Sequence, residues 1–546
     1  MVKFVEKHSL LMIVLVCVGI FLTHLDVLYV NIMEARNFIS AREMLHDGNW
    51  LLTTMNHVPR YEKPPLPTWL TALSAFLFGI HNLSALRLPA ALICIALILT
   101  YYKLILEFFK NTKLAFYTAL ILATSFYIIF SGRNGQWDIF AHGFMVISIY
   151  FLLKMLHRSN RWYYAILSGL FFGCAFLSKG PVSPYALWLP FMIAYLAIYK
   201  NRPSKRDILP MVLTLVIGVC VGLSWYLYIQ IEDPVSYFRI TQEETANWSN
   251  FNIRPFYYYW SFFTQSGIWT IPSFIALLYP YLKNKVSDRK AYTFSLLWTI
   301  SSVVLLSVIP EKKSRYLLPV LIPMALNTAF YIEYLIAKFK QLKRTEKLPV
   351  YVNFGLIGLI GVLFPIAGLV YFNGTLERFY ANFILCACLL FGVGLLILIT
   401  LKKQQFKNVF LLTVLFTWMI LTVGFPLTKA LYINPNFNNL SDLKPEVPLY
   451  SYGEVTPETL WHFGHTVPDI LYSGQLETPS ENKFGILVTP ENSSEFKRIF
   501  AKEYHIELSD TFDLNYTASP QHSAYKDRLK TYYFILEKKQ NNHDNQ

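Results

Sequence analysis

The sequence predicts an α-helical polytopic membrane protein with a small α/β domain at its C-terminal end. Of 546 residues, 54% are hydrophobic and only 15% are charged, whereas soluble domains have about a quarter of their residues charged. About 13 apolar segments are long enough to cross a bilayer, which takes roughly 20 residues each. Their centres lie near Leu15, Ile95, Leu122, Ile147, Gly169, Met192, Ile217, Phe274, Ser301, Met324, Gly361, Leu390 and Thr417.

Alternate loops between these segments are basic, which predicts the orientation of the chain. Short loops rich in Lys and Arg stay in the cytoplasm. All six basic loops fall on one side if the N-terminus is cytoplasmic, and the C-terminal end then lies outside the cytoplasm. The six loops contain Lys110/Lys113, Lys154/Arg158/Arg161, Lys200/Arg202/Lys205/Arg206, Lys283/Lys285/Arg289/Lys290, Lys338/Lys340/Lys343/Arg344 and Lys402/Lys403/Lys407.

Beyond about Lys429 the composition becomes polar and mixed. We therefore divide the chain into a transmembrane domain, residues 1–429, and an extracytoplasmic α/β domain, residues 430–546. Three runs in the second part are typical of strands, and Ser493–Tyr504 is typical of a helix. The three strand-like runs are Val447–Tyr452, Gly485–Val488 and Thr531–Leu536.

Charge and cysteine usage argue against two kinds of function, nucleic-acid binding and a metal site built from cysteines. The net charge is +14, but most of it falls in short loops between apolar segments, so the expected partners are membrane lipids and not nucleic acid. The six cysteines all lie inside apolar runs without metal-ligand spacing, as expected of small buried side chains.

Several outward connections contain basic residues, against the charge rule. Charge at the edge of a membrane is often functional, and a ring of cations suits the phosphate of an anionic lipid headgroup. Solvated loop charges or snorkelling helix ends would be the ordinary explanation. The residues concerned are Arg36, Arg60, Lys63, Arg133, Lys179, Arg239, Arg254, Lys312, Lys313 and Arg315.

The first outward loop, roughly Val30 to Leu86, has the highest density of such residues. Met33–Asp47 has the pattern of an amphipathic helix lying in the membrane interface. The run Arg60-Tyr61-Glu62-Lys63-Pro64-Pro65 follows. Because proline fixes its own φ angle and restricts the preceding residue, Lys63 is expected on a stiff, extended backbone that positions its charge.

Two acidic residues stand at predicted helix starts near the outer face, Glu34 and Asp138. A carboxylate there could act as general base on an acceptor hydroxyl or stabilise charge at a sugar ring. Either one could instead be a first-turn acid favoured by the helix dipole.

These residues resemble a known family, the bacterial lipid A aminoarabinose transferases, which belong with the protein mannosyltransferases among the GT-C glycosyltransferases. The resemblance runs in order from roughly Glu34 to Pro323. It rests on Met33-Glu34-Ala35-Arg36, Ala41-Arg42-Glu43-Met44, Gly48-Asn49-Trp50, Tyr61-Glu62-Lys63-Pro64-Pro65, Leu77-Phe78-Gly79, Trp137-Asp138, Ser178-Lys179-Gly180-Pro181, Arg254-Pro255-Phe256-Tyr257-Tyr258-Tyr259 and Arg315-Tyr316-Leu317-Leu318-Pro319.

The resemblance implies the GT-C fold, with thirteen spans and an external C-terminal domain, and an inverting glycosyltransferase. The implied donor is a polyprenyl-phosphate-linked sugar, and the acceptor is a lipid or protein. Glu34 and Asp138 are then the catalytic candidates. The implied residues for the carrier phosphate and sugar are Arg36, Tyr61, Glu62, Lys63, Lys179, Arg254, Arg315 and Tyr316.

The sequence departs from the family where the first loop helix starts. The family has Asp-Glu there, with the Asp regarded as catalytic, whereas this chain has Met33-Glu34. Glu34 takes over the acid role, or the acceptor is a phosphate that needs no base, or the chain is inactive or uses another residue. We expect no required cofactor and assign no metal site, although some family members hold a divalent metal near the glutamate that corresponds to Glu62 in the Glu62-Lys63-Pro64-Pro65 run.

Three other functions stay open at this stage. A protein O-glycosyltransferase of the same fold would need a base for its hydroxyl acceptor. A lipid or glycan transporter would show charges at the membrane midplane and matching halves. A non-catalytic scaffold would leave Lys63 and Asp138 dispensable.

Overall fold

The computed structural model describes residues 8–199, 205–372, 376–431, 434–472 and 475–539. Lys200 and Arg202 of the third basic loop therefore lie outside the described residues. The α-helices, in chain order, are α1 Ser9–Leu22, α2 Ile32–Asp47, α3 Leu66–Phe78, α4 Leu83–Phe109, α5 Thr112–Ala123, α6 Phe126–Gly132, α7 Trp137–His157, α8 Arg161–Lys179, α9 Leu189–Tyr199, α10 Lys205–Glu232, α11 Pro234–Asn250, α12 Thr270–Ala276, α13 Tyr279–Leu282, α14 Arg289–Val308, α15 Leu318–Lys338, α16 Arg344–Tyr371, α17 Tyr380–Lys402, α18 Phe406–Met419, α19 Pro457–Phe463 and α20 Ser493–Phe500.

The chain forms two compact units. The first comprises the described residues up to Val27, together with Trp50–Thr53 and Arg60–Leu427. The second comprises Leu28–Asn49, Thr54–Pro59 and the described residues from Thr428 onward. The second unit therefore combines the C-terminal part of the chain with the first loop helix, α2, which the sequence analysis assigned to the transmembrane domain.

The first unit is a multi-pass membrane bundle. Among the described residues, eight helices are long and apolar enough to span a bilayer, or nine if α5 and α6, bent by 66°, form one broken span. All thirteen predicted centres lie in helices, but the count of thirteen spans is not confirmed. Three of the remaining segments are short. Helix α1 has 14 residues and α12 has 7, and Pro184–Tyr199 is a short apolar helix that begins with a π-helical turn, Pro184–Trp188.

Close backbone contact through glycines joins α16 to α17. A Cβ atom at Gly394 would lie 2.6 Å from the carbonyl oxygen of Gly358 and 2.9 Å from the Cα of Gly361. The two helices can approach this closely only because side chains are missing at the crossing, as is common between membrane helices.

We expect Gly394→Ala to destabilise the purified protein in detergent by about 1–3 kcal/mol, because the added methyl group meets backbone that cannot rotate away. Gly392→Ala is the matched control, since a Cβ atom there meets nothing within 4 Å. Thermal unfolding should show a lowered midpoint for Gly394→Ala alone. Equal midpoints for the two variants would contradict the close helix crossing.

The second unit has a four-stranded mixed sheet. Its strands are β3 Leu449–Tyr452, β6 Lys483–Val488, β7 Tyr504–Asp513 and β8 Lys530–Lys538, in the order β3-β6-β8-β7. Strands β3 and β6 are parallel, and the other pairs are antiparallel. Short two-residue strands form two more pairs, β1 Thr54–Met55 with β2 Val58–Pro59 and β4 Leu471–Tyr472 with β5 Gln475–Leu476.

Helix α2 packs inside this second unit. Its Phe38 ring meets Trp461 of α19 edge-on at 5.4 Å, and Ile39 is buried in the same apolar cluster as Leu440 and Val467. The β1–β2 turn holds Asn56 and His57 at positive φ, and the Asn56 side chain exchanges two hydrogen bonds with the backbone of Val467 at 2.7 and 2.8 Å. The first outward loop and the C-terminal segment thus share one core.

Candidate active site

A buried ion pair joins two membrane helices of the first unit. Asp138 lies in the first turn of α7, and Lys179 is the last residue of α8. The Lys179 Nζ atom donates a hydrogen bond to the Asp138 carboxylate, and the two residues are 9% and 4% exposed. Burying such a pair seldom adds stability, because two charges leave water. An intramembrane ion pair is therefore a functional-site candidate.

More cationic groups surround this pair. The Lys179 ammonium lies 4.8 Å from the centre of the Tyr316 ring, and the Arg315 guanidinium lies 5.7 Å from the same ring. Lys63 and Arg315 are both close enough to repel the Lys179 charge. The Nε atom of Arg315 is buried and has no hydrogen-bond partner in the part of the chain that the structure describes. Three cations thus surround one carboxylate, an excess of positive charge suited to an anion.

The Tyr61-Glu62-Lys63 run is fixed to the helices that follow. Tyr61 donates a hydrogen bond of 2.9 Å to Asp233 and packs edge-on against Trp225 of α10. Burial, and to a smaller extent the Asp233 carboxylate, raises the pKa of Tyr61, so its hydroxyl keeps its proton and stays a donor. Burial opposes ionisation of Asp233, but hydrogen bonds from Ser236 and Tyr61 outweigh it and lower the pKa of this carboxyl. These contacts hold the stretch in front of Pro64, where the chain bends at Glu62 and Lys63 instead of running extended as predicted.

Lys63 is paired with a residue that the sequence analysis did not select. Its Nζ atom lies 3.3 Å from the Glu244 carboxylate of α11 and donates 2.9 Å to the carbonyl of Glu62. The two side chains are 24% and 35% exposed. The pair is therefore open to water and screened, and a stronger anion could displace the carboxylate.

Glu62 is linked to the start of α7 through Arg60. The buried Arg60 guanidinium lies 5.2 Å from the centre of the Trp137 ring, next to Asp138, and 3.6 Å from the Glu62 carboxylate. One carboxylate oxygen of Glu62 is buried without a hydrogen-bond partner among the described residues. This oxygen, Oε2, is the one that Arg60 Nε approaches at 3.6 Å, beyond hydrogen-bond length. Arg60 therefore holds the carboxylate by charge, and Oε2 can still accept a hydrogen bond.

Two of the outward cations have local structural roles. Arg133 donates to the backbone carbonyls of Ile20, Thr23 and His24 at the end of α1, where helix carbonyls lack partners. Lys312 likewise donates to the carbonyls of Arg254 and Ile309 at 3.0 and 2.6 Å.

Arg254 lies on an exposed segment, and its backbone N–H donates to the carbonyl of Pro310 at 3.3 Å. Its predicted contact with the carrier phosphate stays a prediction.

Glu34 and Arg36 belong to the second unit. The Glu34 carboxylate accepts hydrogen bonds from the Asn31 backbone N–H at 3.3 Å and from its side-chain amide at 2.8 Å, which completes a capping box for α2. This is the first-turn role that the sequence analysis weighed against catalysis. The Nε atom of Arg36 is buried without a partner among the described residues. Their catalytic and binding roles stay predictions.

The sequence gives little signal for the residues that the prediction missed. Glu244 lies 181 positions after Lys63 in a polar helix, and no spacing connects the two. Asp233 before Pro234 is a recognisable helix start in the sequence. The structure agrees, since the Asp233 carboxylate caps α11 by accepting from the Ser236 N–H at 3.1 Å. His142, one turn after Asp138, is fully buried with its Nδ1 atom 3.1 Å from Ser183 Oγ; nothing in the sequence distinguishes it from a core histidine.

No group of three or more His, Cys, Asp or Glu residues suited to a metal ion occurs within the described ranges. The expectation that the reaction requires no metal stays a prediction.

Comparisons with known proteins find several that this chain is similar to. Residues 62–226 match the family model of dolichyl-phosphate-mannose-protein mannosyltransferases, a range that begins at Glu62 and includes Lys63, Asp138 and Lys179. The undecaprenyl phosphate-α-4-amino-4-deoxy-L-arabinose arabinosyl transferase 1 of Proteus mirabilis is 25% identical over 61% of this chain and 61% of its own length. The corresponding transferase of Shewanella sediminis is 26% identical over 64% of each.

The alignments span about three fifths of the length of these curated relatives. Among solved structures, ArnT from Cupriavidus metallidurans bound to undecaprenyl phosphate superposes with a TM-score of 0.64 at 17% identity, over 96% of this chain and 97% of that one. At this identity the match concerns the fold. The chain therefore has the fold of that ArnT structure, and parts of it are similar to dolichyl-phosphate-mannose-protein mannosyltransferases and to bacterial arabinosyl transferases.

Proposed function

We propose that this protein transfers a sugar from a polyprenyl-phosphate carrier to an envelope acceptor, a lipid A-like lipid, at the outer face of the bacterial inner membrane. The observation that carries the proposal is the buried Asp138–Lys179 pair, with Lys63 and Arg315 close to it. The names of the relatives support an undecaprenyl phosphate donor carrying 4-amino-4-deoxy-L-arabinose. In this proposal the N-terminus is cytoplasmic and the C-terminal unit is periplasmic.

In the proposed reaction an acceptor oxygen attacks the anomeric carbon from the face opposite the carrier. The bond from that carbon to the phosphate oxygen breaks, and the carrier phosphate leaves with an added negative charge. Lys63 and Arg315 stabilise this charge by electrostatic contact that grows toward the transition state. Tyr61 holds the loop carrying Lys63, and Glu62 and Tyr316 shape the same pocket.

The ion pair favours an acceptor that is already ionised. A carboxylate neutralised by an ammonium group is a weak acceptor for another proton, so Asp138 is better suited to orienting Lys179 than to deprotonating a hydroxyl. A phosphate acceptor needs no base at neutral pH. This supports a lipid phosphate over a protein serine or threonine, and it is compatible with Met33 at the position where the family has an aspartate.

The test is mass spectrometry of lipid A and of envelope glycoproteins from a strain lacking this protein. The strain is complemented with wild type, with Lys63→Ala, or with Lys113→Ala, an exposed lysine that serves as matched control. We expect one sugar mass on lipid A, restored by wild type and Lys113→Ala and absent with Lys63→Ala. A mass shift on protein would overturn the acceptor, and no shift in either pool would overturn the transferase.

We expect Glu34→Gln to retain transfer, because the amide oxygen still accepts from Asn31 and a phosphate acceptor needs no base. Glu34→Ala removes the acceptor of the Asn31 N–H groups, which is half of the capping box, and should destabilise α2 by about 1 kcal/mol. Rates with purified protein and unfolding midpoints separate the two effects. A loss of transfer of a hundredfold or more in Glu34→Gln, with an unchanged midpoint, would make Glu34 the base and favour a hydroxyl acceptor.

A further inference from the structure

A cavity lined by charged residues lies at the other end of α7, the helix that carries Asp138. Its volume is about 360 Å³, and it opens between the C-terminal ends of α4 and α7. Lys154 on its wall lies 16 residues after Asp138, which is about 24 Å along a helix axis. The cavity is therefore separate from the candidate active site and lies at the opposite membrane face.

The cavity contains more cations than its carboxylate neutralises. Lys110, Lys154 and Arg158 line it together with a single acid, Glu107. Glu107 accepts its short hydrogen bond, 2.7 Å, from the Tyr150 hydroxyl. Its distances to Lys154 and Arg158 are 3.6 and 3.7 Å, beyond ordinary hydrogen-bond length. Lys110 has no ion-pair partner within the described part of the chain.

Helix dipoles alone do not explain this arrangement. Cations near helix C-terminal ends are ordinarily stabilising, but such groups extend into water. Lys154 instead lies over two aromatic rings, 4.7 Å from the centre of Tyr150 and 5.6 Å from that of Tyr164. Its ammonium is held in place at a cavity wall, as a binding site for an anion requires.

The remaining walls and the setting indicate a lipid. Leu104, Phe108 and Leu153 provide apolar surface beside the charges. The first turn of the next helix, α8, contains Trp162 and Tyr163, which are 52% and 58% exposed. Such aromatic side chains anchor at the membrane interface. A ligand with a phosphate and an attached acyl chain matches both the charged and the apolar walls.

We propose that this cavity binds the phosphate headgroup of an anionic phospholipid. Basic pockets between membrane helices recognise such headgroups by charge. Lys154 and Arg158 contact the phosphate, Glu107 limits the affinity by competing for them, and the apolar wall takes the glycerol and the start of the acyl chain. The site is independent of the transferase chemistry at Asp138.

The test is native mass spectrometry of the full-length protein, purified in detergent and incubated with phosphatidylglycerol or with zwitterionic phosphatidylcholine. The test variant is Lys154→Gln/Arg158→Gln. The matched control is Lys402→Gln/Lys403→Gln, which removes the same charge from two exposed lysines at the end of α17. We expect the test variant to bind phosphatidylglycerol about 30-fold more weakly, the control to bind like wild type, and Glu107→Gln to bind more tightly.

Unfolding midpoints of the variants confirm that each one is folded before binding is compared. Equal weakening in the test and control variants, or equal retention of the two lipids by wild type, would overturn the proposal. A final arm adds glycerol 3-phosphate, which has the phosphate without acyl chains. If it binds as tightly as phosphatidylglycerol, the ligand is a soluble phosphate and the lipid assignment is wrong; much weaker binding supports the lipid.

Discussion

Asp138→Asn is expected to reduce sugar transfer by about a hundredfold or more, measured on protein that its unfolding midpoint shows to be folded. It should also lower stability, because it leaves the Lys179 charge buried without its partner. The amide cannot hold the Lys179 ammonium by charge, so the cation no longer has a fixed place beside the sugar and phosphate. Loss of one positioned electrostatic contact of this kind has an effect of about 10²–10³ on the rate. Transfer should be measured with purified protein in detergent, with the polyprenyl-linked donor in excess.

The reverse substitution separates catalysis from stability. Lys179→Met leaves the Asp138 carboxylate buried without its partner, and we expect a loss of stability of about 3–5 kcal/mol. The double variant Asp138→Asn/Lys179→Met removes both charges and should recover most of that stability without recovering transfer. If the double variant transfers sugar at the wild-type rate, the pair has a purely structural role and the site lies elsewhere.

The sequence was informative about helices because an apolar run in a bilayer has no water to bond its backbone and must satisfy its hydrogen bonds within the segment. Each predicted centre lies in a helix, from Leu15 in α1 to Thr417 in α18. The number of spans was harder to predict, since breaks depend on tertiary contacts. Gly267 adopts a positive φ of 66° where the chain kinks before the seven-residue α12, and nothing in the local pattern requires it.

The C-terminal unit shows where local patterns stop being sufficient. The three predicted strands correspond to β3, β6 and β8, because they alternate or are continuously apolar. Strand β7 was missed, since it lies at the sheet edge, half of its ten residues are exposed, and polar residues interrupt its apolar pattern. The predicted helix Ser493–Tyr504 ends at Phe500 in the structure, and Tyr504 begins that strand.

For the candidate site, residue types were predictable and pairings were not. Asp138, Lys179, Arg315 and Tyr316 were selected individually, and the structure brings them together. Their separations along the chain, 41 residues between Asp138 and Lys179, do not correspond to any helical or strand period. The outward cations include residues of purely structural role. Arg133 and Lys312 donate hydrogen bonds to backbone carbonyls that come near them only in the folded chain.

Lys63 and Glu244 should respond to substitution in opposite directions. A charge-assisted hydrogen bond contributes about 1.5–3 kcal/mol, so Lys63→Gln is expected to weaken binding of undecaprenyl phosphate by about 10- to 150-fold. Glu244→Gln removes the carboxylate that occupies Lys63 in the absence of ligand. Because this pair is partly exposed, the gain in affinity should be modest, up to about fivefold. Equilibrium binding of the carrier phosphate to purified protein measures both.

Glu243→Gln is the matched control, since Glu243 is the exposed neighbour of Glu244 on α11. It changes the net charge of the helix equally without touching Lys63. If Glu243→Gln and Glu244→Gln raise the affinity equally, the gain comes from the net charge of α11. The proposal that Glu244 competes with the carrier phosphate for Lys63 is then refuted. If Lys63→Gln binds the carrier as tightly as wild type, Lys63 does not contact the phosphate. If Glu244→Gln alone raises the affinity, and this gain over wild type disappears at high salt because salt screens the Lys63–Glu244 pair, the Glu244 carboxylate occupies the place of the carrier phosphate.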